Sequence, residues 1–325
     1  MITVRSGFRV AALLGTALLA GHACGQAYPV KPIRLVVPQP PGGGNDTIAR
    51  LISQKLSAAL KQQFTVDNRA GAGGLIGADI VAKAAPDGYT LLLANVAGMV
   101  IVPNIQKSMP YDALKDFAPV SLIASAPLLV VVHPSLPATS IKQLIALGKA
   151  KPGQINYASN GVGTSTHLAT EMFKTMTKTD FVHIPYKGLG GAITDLLSGQ
   201  VQLMFSSAVA MMPLVQSGRL RAIAMTGARR SAAIPHIPTV AEAGVPDYES
   251  GSWYGISAPA GTPRAIIDLL NQEIVAAVRA PDITDKLVTE AVIPVGSSPA
   301  EFATHIQKEF ARIRQVIKSS GAKFD

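Results

Sequence analysis

The sequence predicts an α/β protein of two lobes hinged as a clamshell, and three observations lead there. Short β-branched runs alternate with longer segments of helical period. That series is interrupted once, at the long apolar segment Val120 to His133 with Pro127 inside it, and then begins again. Beyond Tyr248 to Ala258 the pattern is mainly helical. One lobe is therefore built from both ends of the chain and the other is inserted in its middle. The 325 residues, 48% of them hydrophobic, supply enough apolar material for separate cores.

The first lobe starts with the compact strand Ile33 to Val37. Thr47 to Leu60 then places Ile48, Leu51, Ile52 and Leu56 on one helical face. Phe64 to Asp67 is a second strand, a Gly-rich turn (Ala70 to Gly74) leads to a helix, and Asp87-Gly88 turns the chain into the strand Tyr89 to Ala94. In the second series helices are expected at Ile141 to Lys149, Thr166 to Met176 and Ala192 to Ser198. Strands are expected at Ile155 to Ala158, Phe181 to Pro185, Leu203 to Ser206 and Ala222 to Thr226. The closing helices are Arg264 to Ala280, Ile283 to Glu290 and Pro299 to Ser319. Such units imply parallel sheets with helices on both faces. The crossings between lobes fall near Ala126 and Ser252, giving lobes of residues 28–126 with 253–325, and 127–252. Ligands favour the cleft between hinged lobes.

Residues 1–27 stand apart from the fold. Arg5 and Arg9 precede the apolar run Val10 to Ala20, and the small residues Gly21, Ala23, Gly25 and Ala27 follow. This is the order of a secretory signal peptide, cleaved near Ala27. The alternative is an N-terminal core helix; the run is short for a bilayer span. A periplasmic location follows. Cys24 is the only cysteine, and its flank Leu19 to Ala23 fits a lipid-attachment site poorly. If it leaves with the leader, the mature chain has no disulfide, thiol nucleophile or Cys-based metal site.

The formal charge is +9, with Lys and Arg spread along the chain. The one tight cluster, Arg219, Arg221, Arg229 and Arg230, has no interleaved aromatics to stack bases, so nucleic acid is not an expected partner. The charge either attracts anionic solutes or is ordinary solvated surface.

In an open parallel sheet, ligands bind at the carboxyl ends of the strands, and two loops there are unusual. The first is Pro38-Gln39-Pro40-Pro41-Gly42-Gly43-Gly44-Asn45-Asp46. Its prolines stiffen it, its glycines let backbone approach a ligand, and Asn45 or Asp46 can cap the following helix. Free amides at that helix start attract an anion. A plain tight turn is the alternative reading. The second, Ser159 to His167, sets hydroxyls beside glycine amides at a helix start, as hydrogen bonding to a carboxylate requires. Neither loop ends in the Gly-Lys-Ser/Thr of a phosphate loop, and neither has a Gly-x-Ser-x-Gly nucleophile elbow. His133, His167, His183, His236 and His305 are far apart in sequence, with no metal-ligand spacing. His167 alone is near the candidate site, either donating to the ligand or fixing the loop. Asp195 bridges the lobes or is solvated. Trp253 and Tyr254 wall the cleft or pack at the hinge.

Seven segments, in order, carry a resemblance: Pro29-Val30-Lys31-Pro32-Ile33; Pro40 to Gly43; Asp67 to Gly74; Pro86-Asp87-Gly88-Tyr89-Thr90; Gly161 to Thr164; Ile184-Pro185-Tyr186-Lys187-Gly188; and Pro238 to Gly244. Together they resemble the tripartite tricarboxylate transporter receptors, the Bug-type extracytoplasmic solute receptors. The resemblance implies a type II-like periplasmic-binding-protein clamshell that takes a small carboxylate between its lobes and delivers it to membrane permease subunits. It implies a monomer without cofactor or metal, and no catalytic residue. It points to Gly42, Gly43, Gly44, Asn45 and Asp46 in the first loop and to Ser159, Gly163, Thr164 and Ser165 in the second, with Asn95, Asp195 and Ser206 contributing. Gln39 and Pro40 stand where an aromatic is common in the family. Two other readings use the same fold: an exported hydrolase built on Ser165 and His167, and a sensory receptor. No base-orienting group accompanies Ser165, and positions i and i+2 of a helix point apart. With no arginine in either loop, affinity is expected to depend little on salt.

Overall fold

The computed structural model describes residues 28–289 and 291–320. The expected leader, with Cys24, lies outside them. The chain opens with β1 (Ile33–Val37), α1 (Gly44–Leu60), β2 (Phe64–Asn68), α2 (Leu75–Ala82) and β3 (Thr90–Asn95). A π-helical turn (Ala97–Ile101) and the short α3 (Val102–Ile105) lead into β4 (Phe117–Val132). Next come α4 (Ile141–Ala150), β5 (Asn156–Ser159), α5 (Ser165–Thr177), β6 (Val182–Pro185), α6 (Leu189–Ser198), β7 (Leu203–Ser207), α7 (Ala208–Gln216) and β8 (Arg221–Met225). The chain returns through β9 (Gly251–Pro259) and ends with α8 (Arg264–Arg279), α9 (Pro281–Thr289), β10 (Ile293–Pro294) and α10 (Pro299–Ser320). Among the described residues no helix is long and apolar enough to cross a membrane.

The strand order is β2-β1-β3-β9-β4-β7-β5-β6, with β8 and β10 also paired to β4. The wings are parallel, as the alternating units imply: β1 with β2 and β3, and β5 with β6 and β7. The centre corrects the expectation of parallel sheets. β4 and β9 run antiparallel to each other, and β3 and β7 join them antiparallel. The physical reason is the return of the chain, which re-enters the first half from the opposite end of the sheet. The apolar run around Pro127 becomes one 16-residue strand shared by both halves. It pairs with β9 up to Pro127↔Gly251 and with β7 from Leu128↔Ser207 onward. Proline, which has no N–H to give, sits where the ladder changes partner. The next amide, Leu128 N–H, donates to Thr226 Oγ1 at 2.7 Å instead. Ala126 and Ser252, the two expected crossing points, are direct partners in this ladder.

Each half has apolar clusters on both faces of its strands. In the first half, Ile48, Ile52 and Leu56 of α1 meet Leu270 and Ile274 of α8 on one face. Ala78 and Val81 of α2 meet Phe302 and Ile306 of α10 on the other. The spacing of four in α1 makes that apolar stripe, and each of the three side chains is fully buried. Each such burial contributes about 1.5–3 kcal/mol. In the second half, Phe173 of α5 and Leu144 of α4 cover one face, and Leu196 of α6 and Met211 of α7 the other. Leu168 of α5 joins the first half's cluster, so α5 packs across the divide.

At Gly255 of β9 the fit is tight. A Cβ there would lie 2.3 Å from Phe302 Cζ and 2.8 Å from the carbonyl oxygen of Ser121. Gly255→Ala is therefore expected to lift α10 off the sheet and cost about 1–3 kcal/mol of unfolding free energy, read as a lower urea midpoint.

Candidate functional site

A cavity of about 330 Å³ lies where the two halves face each other. Its lining draws on four helix starts: Gly44 and Asn45 of α1, Ser165 and Thr166 of α5, Leu189 and Gly190 of α6, and Ser207 just before α7. At α1, α6 and α7 no side chain caps the helix. Only α5 is capped, by Thr164 Oγ1 accepting from His167 N–H. First-turn amides carry partial positive charge, so several uncapped helix starts around one space favour an anion. Lys187 also lines the cavity, and among the described residues no carboxylate side chain does. Leu128, Ile193 and Tyr254 supply apolar wall.

The first loop is held from beneath. Asp46 is 6% exposed. Its carboxylate accepts from Gly42 N–H at 3.1 Å, Arg50 Nε at 3.0 Å and Asn68 Nδ2 at 3.1 Å. Burial raises its pKa, but the bonds from Arg50, Gly42 and Asn68 outweigh that and hold the carboxyl below its usual range. Asp46 thus braces the loop, while Gly42, Gly43, Gly44 and Asn45 line the cavity. Gly42 needs its glycine, with φ at +82°. Gly44 is required by proximity, because a Cβ there would stand 2.6 Å from Tyr254 Oη.

The second loop spends most of its hydroxyls on itself. Thr164 Oγ1 donates to Gly161 O at 2.7 Å, and Thr166 Oγ1 accepts from Asn160 N–H at 3.0 Å. Ser159 is fully buried, its Oγ 2.7 Å from His183 Nε2. His167 stacks on His183 with ring centroids 4.0 Å apart, and its Nδ1 accepts from Gly163 N–H. Of the residues expected here, Ser165 lines the cavity, whereas Thr164 faces a neighbouring 620 Å³ space. Gly163 sits near Val102 and Ile105 of the first half. Asn95 is 2% exposed and reaches the site only through Asn45, to which its Nδ2 donates at 2.8 Å. Asp195 accepts from Tyr186 Oη at 2.6 Å. Ser206 is buried, and its Oγ has no hydrogen-bond partner among the described residues. Neither Asp195 nor Ser206 lines the cavity.

Lys187, Gly188, Leu189 and Gly190 line the cavity and were missed as site residues. A third Gly-rich strand–loop–helix was visible there, in Lys187-Gly188-Leu189-Gly190-Gly191 after β6. Ser207 and Leu128 had no comparable signal.

The two imidazoles beneath the second loop are neutral at pH 7. Burial, with lesser effects of His183 and Lys174, pushes His167 down to about 3. Burial likewise takes His183 to about 4, against the opposing influence of Glu171. On acidification the unfolded chain takes up protons near pH 6.5 while the folded protein does not. Stability is thus full above pH 6.5 and declines as pH falls towards 3. For His167 the loss by pH 5 is on the order of 2 kcal/mol. Urea titrations at pH 7 and pH 5 measure it, and His167→Gln should flatten the dependence. Gly44→Ala is expected to displace Tyr254 and weaken ligand binding about tenfold or more, by calorimetry.

Comparison with known proteins bears on this site. The family model described as "Tripartite tricarboxylate transporter family receptor" matches residues 48–322. Protein BugT of Bordetella pertussis (strain Tohama I) is 39% identical over 311 residues, 95% of each chain. An R. palustris protein solved with adipate superposes with a TM-score of 0.87 at 39% identity, covering 90% of this chain and 98% of that one. MatC from Rhodopseudomonas palustris, solved with bound malate, gives 0.83 at 30% identity, covering 89% and 100%. With the match running from α1 to the last residues of the chain, this protein belongs to the tripartite tricarboxylate transporter receptor family.

Proposed function

We propose that the protein is exported to the periplasm, captures one small carboxylate as a monomer, and releases it unchanged to the permease subunits of a tripartite membrane transporter. The observation that carries this reading is the cavity itself: four helix starts and one lysine around a space with no carboxylate of its own. A carboxylate there accepts hydrogen bonds from backbone amides and from Ser165, in a setting partly walled off from water by Leu128, Ile193 and Tyr254. The likeness to proteins solved with adipate and with malate supports the same ligand class. The lobes are assigned to residues 28–126 with 253–325, and to 127–252. The pairing of Ala126 with Ser252 supports a hinge at that point.

Turnover has no part in this reading. Ser165 lines the cavity, but the ring of His167 is engaged with Gly163 and His183. Ser159 is buried, and neither it nor its partner His183 lines the cavity.

Two measurements test the proposal. Mass spectrometry of the small molecule freed on denaturing protein purified from the periplasm should find an unchanged carboxylate at near-stoichiometric amount. Specifically bound neutral compounds alone would overturn it. Salt should weaken binding only a few-fold, because a single lysine contributes full charge. Lys187→Met should lose that dependence while keeping most of the affinity.

A further inference from the structure

The side chain of Asn95 has one donor end and one acceptor end, and the structure fixes which way round they lie. Asn95 is the last residue of β3 and is buried. Its Oδ1 accepts from the backbone N–H of Gly98 at 3.0 Å. That N–H can only donate, so the oxygen of Asn95 must face it. The carbonyl of Gly98 is in turn held by Tyr111 Oη at 2.5 Å. Gly98 is thereby pinned at both polar groups within the buried π-helical turn, and its polarity cannot reverse. Asn95 then has only its NH₂ to present at its other end. It donates to Asn45 Oδ1 at 2.8 Å. Asn45, which lines the cavity, must answer with its oxygen, so its NH₂ is the end turned away from Asn95.

We infer that Asn95 is a positioning residue that sets the hydrogen-bond polarity of the site: through Asn45 it turns a donor, and not an acceptor, towards the ligand. The inference rests on the receptor reading above and names what selects acceptor-only ligands such as carboxylates. An amide in water presents either end equally well. The relay from Gly98 removes that choice, so a ligand group that can only donate, such as an ammonium, meets an unfavourable partner at Asn45.

Asn95→Asp reverses the relay without changing its shape. The ionised carboxylate introduced there accepts from Gly98 and also from Asn45, whose amide turns and presents its oxygen to the cavity. Adipate, malate and benzoate are titrated calorimetrically at pH 7.5, with wild type as the control. Affinity of N95D for the acids that wild type binds is expected to fall about ten- to hundredfold at pH 7.5. Asn95→Ala only frees Asn45 to rotate, so a smaller loss of several-fold is expected. It serves as the test should N95D fail to fold. In Asn45→Ala, adding Asn95→Asp should change nothing further. Unchanged affinity in N95A, unchanged affinity in N95D, or additive effects in the double variant each overturn the inference alone. A wild type that binds none of the acids overturns the receptor reading beneath it.

Discussion

Strands β4 and β9 are buried along most of their length, so nearly every amide and carbonyl in them must find a partner within the protein. The antiparallel ladder between them meets that demand and joins the two halves of the molecule in doing so. Where β4 passes from β9 to β7 it carries proline, and Thr226 takes the next amide, so the change of partner leaves little unpaired. The position of both wings follows. β3 pairs with β9 and β7 with β4, which brings the helix starts after β1, β5, β6 and β7 around one space. A shift of this ladder would separate the helix starts that form the site.

That space is electrostatically unfinished. Helix starts normally satisfy their first amides with a Ser, Thr, Asp or Asn side chain. At α1, α6 and α7 no side chain makes that bond: the N-cap residues are Gly43, Gly188 and Ser207, and the side chains able to do it at α1 are used elsewhere. Asp46 turns down to Gly42, Arg50 and Asn68, and Asn45 turns to Asn95. On the proposed reading, an anion entering the cleft supplies the missing acceptors. Because the donors are mostly amides fixed by the helices, little reorganisation is needed on binding.

Rigidity beneath the loops is the complement of that openness. The second loop rests on a stack of Tyr157, His183 and His167, the ring centroids 4.8 and 4.0 Å apart, and its Thr164 and Thr166 hydroxyls are engaged within the loop. Neutral imidazoles suit this place, since a buried cation there would add charge next to a site already rich in donors. The structure assigns the two loops different supports: a carboxylate beneath the first and a pair of neutral rings beneath the second.

Most of the elements were legible from local pattern, because strand and helix periods are written in the spacing of residues such as Ile48, Ile52 and Leu56. Both Gly-rich loops were legible for the same reason, since glycine and proline constrain the backbone wherever they stand. The strand β9 and the helix α7 were not. Gly251 to Pro259 has no alternation because both its faces are covered, and Ala208 to Gln216 is apolar with Pro213 inside it. The roles of single side chains were hidden too. Asp46, Ser159, Thr164 and Asn95 stand out by their chemistry, and only the fold shows that Asp46, Ser159 and Asn95 turn away from the cavity to hold its walls. The sequence by itself determined the α/β class, the order of the units and the donor-rich loops, because these depend on neighbours along the chain. Tertiary structure alone decided the antiparallel centre, the inclusion of Lys187 and the start of α6, and which end of the Asn95 amide faces Gly98 and which faces Asn45. Those depend on partners far away in sequence, as when Asn95 meets Asn45, fifty positions apart.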